Sequence, residues 1–124
     1  MHIAMIAAEN GALVGGKVGG IGDVIRDVPI ALARLGHRVS VITPGYQSLA
    51  KRNASTLIGA VNVSFCGATE RVAIFCVDKP TAVSGNGSNK KASGSVNHYI
   101  LEHPLFASCG EGAIYCNDQL GPFA

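Results

Sequence analysis

The sequence predicts an α/β domain of the doubly wound class, and three observations carry that expectation. The chain opens on a short apolar run without alternation, His2 to Ala8. A helical apolar pattern and then a second strand-like run follow, all before Pro44. Between the first run and the helix stands GGKVGGIGDV, residues 15–24, where five glycines surround one lysine.

Taken in order, HIAMIAA (His2 to Ala8) reads as a strand buried on both faces, as in a parallel sheet. GDVIRDVPIALARLG, Gly22 to Gly36, reads as a helix, because Val24, Val28, Leu32 and Leu35 share one face. Ala31 and Ala33 favour it, and Gly36 suits the position just past the last turn. Pro29 lies inside that pattern and either kinks the helix or begins a second one. HRVSVITP, His37 to Pro44, is the second strand; strand, helix and strand make one right-handed βαβ unit with parallel strands. Thr56–Cys66 and Arg71–Asp78 read as two more strands, joined through Gly67–Glu70 as a hairpin. Ser84–Gly94 is polar, glycine-rich and without periodicity, hence a loop. Val96–Pro104 restores a strand, and Leu105–Ala124 is irregular. His37 reads as a helix-end residue, Tyr46 as packing, Arg26 and Asp27 as a solvated helix side, and His103-Pro104 as a turn. With no repeat and no linker, residues 1–124 are expected to be one partial domain, mainly parallel, that stops before its sheet is complete.

A 48% hydrophobic and 15% charged composition over 124 residues fits a globular core and not a disordered chain. The net charge of +2 is too small to argue for nucleic acid, and only Lys90-Lys91 cluster. No apolar run approaches the ~20 residues a membrane span needs, and Met1 is not followed by a basic leader. The expectation is a soluble, cytoplasmic protein with no membrane partner. Cys66, Cys76, Cys109 and Cys116 form no C-x-x-C pair and no zinc-ligand spacing, so they read as free thiols, with no metal site.

Glycine at such density costs folding entropy, which a turn, a close contact or a ligand must offset. A P-loop fails here, because Val18 follows Lys17 and the main glycines come after the lysine. A dinucleotide fingerprint is weak: Gly20-Ile21-Gly22 starts it, but Ile25 stands where the last glycine belongs, and Asp23 is too early for the ribose acid. A lysine ahead of two glycines at a helix N-terminus suits an anion, since free N–H groups and the dipole favour one there. Gly19 and Gly20 would let a phosphate approach the backbone, at the carboxyl end of the first strand. The bland alternative is a simple strand-to-helix turn with Lys17 solvated.

KVGGIGDV, then Pro29, then ALARLGHRVSVITPGY (Ala31–Tyr46) resembles the N-terminus of bacterial glycogen synthases and plant starch synthases. Their signature is K-x-G-G-L followed by G/A-D-V, a proline, and L-x-x-x-G-H-x-V-x-V-x-x-P-x-Y. Ile21 replaces the usual leucine. Glu9 fits the family's S-E or A-E pair, YILEHPLF its strand ending in x-H-P-x-L/F, and IYCND (Ile114–Asp118) its Tyr-x-x-Asp segment. The match is weakest over Ser48–Gly94.

The resemblance implies a GT-B transferase with two Rossmann-like domains, of which this chain holds part of the N-terminal one and lacks the C-terminal one. It implies transfer of glucose from ADP-glucose to the non-reducing end of an α-1,4-glucan, with retention and no metal or redox cofactor. Lys17 matches the lysine near the donor phosphates and glucose, Gly19 and Gly20 the glycines giving backbone contact, and Asp23 the aspartate near the nucleotide-sugar site. Tyr115 matches a tyrosine beside the adenine. No catalytic residue is assigned in this chain, because the family's principal phosphate-binding Arg and Lys and its key Glu belong to the C-terminal domain; the chain by itself is expected to be inactive. A plant member would act in the plastid. Another GT-B transferase, such as a sucrose synthase, and a stand-alone nucleotide- or glucan-binding module stay open as alternatives.

Overall fold

A computed structural model describes residues 1–46, 49–78, 81–84 and 93–107. Its elements run β1 (His2–Ile6), α1 (Gly20–Arg34), β2 (Arg38–Pro44), α2 (Leu49–Arg52), β3 (Ser55–Phe65), β4 (Ala68–Val77), β5 (Thr81–Ser84), β6 (Ser93–Glu102) and α3 (Pro104–Ala107). The expected βαβ unit is present: β1 pairs parallel with β2 around α1, with Met5 opposite Val41. β2 then pairs parallel with β6, Val41 opposite His98.

The sheet as a whole is mixed and not mainly parallel. Its order is β1-β2-β6-β4-β3 with β5 also on β6, and β3·β4, β4·β6 and β5·β6 are all antiparallel. The reason is the hairpin. β3 and β4 are joined too tightly for a crossover, so they must run antiparallel. β4 and β5 then line the same edge of β6, at Tyr99–Glu102 and Ser93–Val96 respectively. β5 takes in Ser84, and β6 takes in Gly94, both placed in a loop from the sequence.

The hairpin turn sits earlier than expected. Phe65 pairs with Ala68, so Cys66 and Gly67 alone make the turn, with φ of 51° and 76°. Two positive φ values are the type I′ geometry that matches strand twist. Cys66 is therefore exposed at a tip and not held in an apolar strand; it and Cys76 are free thiols.

α1 is one helix through Pro29, which is buried. It ends in a Schellman motif: the Gly36 N–H donates to the Ala33 carbonyl at 2.9 Å, and the His37 N–H to Leu32 at 3.3 Å, with Gly36 at φ 90°. The buried face is Gly22, Ile25, Pro29 and Ala33, not the valine–leucine stripe read from the sequence. Val24, Val28 and Leu35 are exposed. Small residues win the inner face because the helix lies tight on the sheet. At Gly94 of β6, a Cβ would stand 2.2 Å from the Ala33 carbonyl oxygen.

Two apolar clusters fill that side of the sheet. Ile25 and Ala33 of α1 pack on Val39, Val41 and Val96, while Leu13, Leu49 and Ala50 pack on Ile100. β1 is not buried on both faces as expected. It is an edge strand among the described residues, covered by α1 on one side only, and Ile6 is 77% exposed. No helix in the described residues is long and apolar enough to cross a membrane.

Candidate functional site

β1 ends at Ile6, and the chain between it and α1 folds back on itself beyond the carboxyl end of the parallel strands. The Asn10 N–H donates to the Gly16 carbonyl at 2.7 Å, and the Gly11 N–H to Gly22 at 2.8 Å. Asn53, just past the end of α2, grips the same loop, accepting from the Val14 N–H at 2.9 Å and donating to its carbonyl at 3.1 Å.

Two side chains fix the loop from below. Asn10 is buried; its Oδ1 accepts the Ala12 N–H at 3.0 Å, and its Nδ2 lies 2.9 Å from His98 Nδ1. Glu9 is also buried, and its two oxygens accept the Gly19 and Gly22 N–H groups, each at 2.8 Å. The first turn of α1 therefore carries an internal anion. Its cap residue, Gly19, has no side chain to do that work.

The remaining N–H groups of that turn belong to Gly20 and Ile21, which have no acceptor among the described residues. A Cβ at Gly20 would meet nothing within 4 Å, so space lies open in that direction. Lys17 lies against the same helix start at Gly22, where a Cβ would stand 2.7 Å from its Cγ. Its Nζ pairs with Asp23 Oδ1 at 3.0 Å, and Arg26 reaches that same oxygen at 3.2 Å. Arg26 also forks onto Asp27, whose carboxyl it holds below the ordinary aspartate range through that hydrogen bond. With about half of the Lys17 side chain exposed, its ion pair is weak and an incoming anion can compete for the ammonium.

Lys17, Gly19, Gly20 and Asp23 thus come together around one helix N-terminus. Tyr115 lies outside the described residues, as do Cys109, Cys116, Lys90 and Lys91. The roles of Glu9 and Asn10 were not foreseen from sequence, and Arg26 is closer to the site than a solvated helix side implied. The available signal was an omission: a helix whose cap and third residue are both glycine needs a carboxylate from elsewhere. Elsewhere, His103 is structural. Its Nδ1 accepts the Leu105 N–H at 3.0 Å, so its Nε2 carries the proton toward Glu70 Oε2 at 2.9 Å. Tyr46 packs edge-on against Phe106, as a packing residue should. Among the described residues no group of three His, Cys, Asp or Glu side chains is arranged to hold a metal.

The model of the starch synthase catalytic domain family matches residues 2–124. A glycogen synthase of Koribacter versatilis (strain Ellin345) is 45% identical over 65 residues, covering 52% of this chain and 13% of that protein. A glycogen synthase of Hydrogenobaculum sp. (strain Y04AAS1) is 37% identical over 90 residues, covering 65% of this chain and 18% of that protein. Soluble starch synthase 3a, chloroplastic/amyloplastic, of Oryza sativa subsp. japonica is 26% identical over 131 residues, covering 95% of this chain and 7% of that protein. The chain thus spans between 7% and 18% of the length of these relatives.

Proposed function

This chain belongs to the starch synthase catalytic domain family, and from that premise we propose that it is the N-terminal part of a retaining glucosyltransferase. The full protein moves glucose from ADP-glucose to the non-reducing end of an α-1,4-glucan. Its architecture is GT-B, and this chain supplies part of the N-terminal Rossmann-like domain. It acts in the cytoplasm, or in the plastid if the source is a plant.

The observation that carries this reading is one helix start that holds both a half-exposed Lys17 ion-paired to Asp23 and two N–H groups, of Gly20 and Ile21, without an acceptor among the described residues. Breaking the bond between glucose and phosphate places charge on the departing nucleoside diphosphate and leaves an oxocarbenium-like sugar. Fixed N–H dipoles and an ammonium aimed at the diphosphate stabilise that charge as it grows. Asp23 holds Lys17 in place until the donor arrives, and Tyr115 stacks on the adenine.

The charge count also fits a site completed from elsewhere. Lys17, Arg26 and Arg52 stand around this loop with Glu9, Asp23 and Asp27, so this corner is not a net positive trap. The cations that hold most of the diphosphate charge belong to the rest of the protein, and this chain alone is inactive. The test is glucosyl transfer to glycogen by the full-length protein, with ADP-glucose and UDP-glucose as competing donors. Transfer from ADP-glucose supports the reading; turnover of neither donor contradicts it.

A further inference from the structure

We propose that Glu9 is a positioning residue of the donor site, supplying from outside the helix both halves of the cap that Gly19 and Gly22 lack, and so leaving the Gly20 and Ile21 N–H groups for the donor diphosphate. The inference rests on the donor-site reading above.

A helix start is commonly closed by two side chains. The cap residue accepts the N–H of the third helical residue, and the third residue reaches back to the N–H of the cap. Here those positions are Gly19 and Gly22, and neither has a side chain. Glu9 Oε1 accepts the Gly19 N–H and Glu9 Oε2 the Gly22 N–H, each at 2.8 Å, so one carboxylate performs both halves. A Cβ at 22 would stand 2.7 Å from Lys17 Cγ, so in this chain Lys17 would have to shift to admit one. The glycines and Glu9 therefore form one device, in which bare backbone lets Lys17 lie across the helix start and the carboxylate restores the cap.

The device also sets where an anion goes. The N–H groups of a helix N-terminus attract a phosphate. The buried Glu9 carboxylate already takes those of Gly19 and Gly22. The donors left to a diphosphate are the N–H groups of Gly20 and Ile21, in the same turn as the Lys17–Asp23 ion pair. Glu9 touches no substrate; it acts through the loop.

The test compares Glu9→Gln and Glu9→Asp in the full-length protein, with donor and glucan kinetics measured separately. Glutamine offers one acceptor oxygen and turns an NH₂ group on the second N–H. The expected result is a fall of at least about tenfold in kcat/KM for ADP-glucose, carried mainly by KM, with the glucan KM unchanged. Aspartate keeps the charge on a shorter stem and recovers part of the loss. Wild-type donor kinetics in a folded Glu9→Gln protein overturn the proposal. So does an equal loss toward donor and glucan that merely follows the folded fraction. A wild-type protein without any transfer contradicts the synthase reading instead. Glu9 is then judged by amide exchange: Gly19 and Gly22 must exchange at least about tenfold faster in Glu9→Gln while Val41 does not, and unchanged exchange overturns it.

Discussion

Asn10 Nδ2 lies 2.9 Å from Nδ1 of His98, and both side chains are buried. Asn10 cannot turn its amide round, because its Oδ1 already accepts the Ala12 N–H. The amide therefore donates to His98, whose Nδ1 must be unprotonated, and burial holds the His98 pKa below the ordinary histidine value. A histidine depressed in the folded state contributes stability that is complete above its unfolded pKa of about 6.5 and is lost as pH falls below it. The wild type should lose stability between pH 7.5 and 5.5, and His98→Gln should lose less over the same interval. Urea midpoints at the two pH values check this; equal losses would refute it.

Gly20 separates binding from folding. A methyl group there meets nothing within 4 Å, and alanine suits a first helical turn. Gly20→Ala should leave stability unchanged or raise it by about 0.4–1 kcal/mol. The same methyl group enters the space assigned to the donor, so nucleotide-sugar affinity should fall. Thermal unfolding and donor KM, measured on one preparation, must move in these opposite senses.

Gly94 carries the contact between α1 and the sheet. A Cβ there would stand 2.2 Å from the Ala33 carbonyl oxygen and 2.3 Å from that of His37. Gly94→Ala should destabilise by about 1–3 kcal/mol or more, read as a lower denaturation midpoint. A neutral result would mean that α1 does not lie this close to β6.

Cys66 holds a left-handed conformation, φ 51°, at the first turn position of the β3–β4 hairpin. That geometry disfavours most side chains by about 1–2 kcal/mol and suits asparagine followed by glycine. Cys66→Asn should stabilise by about 0.5–1 kcal/mol, within the range a relieved left-handed residue allows. A lower melting temperature for this variant would contradict the turn assignment.

The βαβ core was legible in the sequence because each signal there is local. Apolar runs mark β1 and β2, and Gly36 marks the end of α1 by its left-handed φ. The inward face of α1 was not legible. Both of its stripes are apolar, and the choice between them rests on tertiary contacts such as the approach of Ala33 to Gly94 and the packing of Ile25 on the sheet. The mixed sheet was missed because β4 joins β6 through a pairing distant in sequence, and β5 and the start of β6 lie in and around a polar, glycine-rich stretch without strand alternation. At the site, Lys17, Gly19 and Gly20 were singled out by their spacing ahead of a helix, Asp23 only by the family resemblance, and Glu9 only as part of a motif. Its work, capping a helix that starts eleven residues later, is a long-range hydrogen bond that periodicity does not record.

In the full-length protein, Lys17→Ala should lower kcat for glucosyl transfer from ADP-glucose to glycogen by on the order of 10²-fold, as expected for loss of a charge-stabilising group. Lys90→Ala, the comparison outside residues 15–24, should stay within about twofold of wild type. Near-equal activities of the two variants would contradict the assignment of the donor site to this loop.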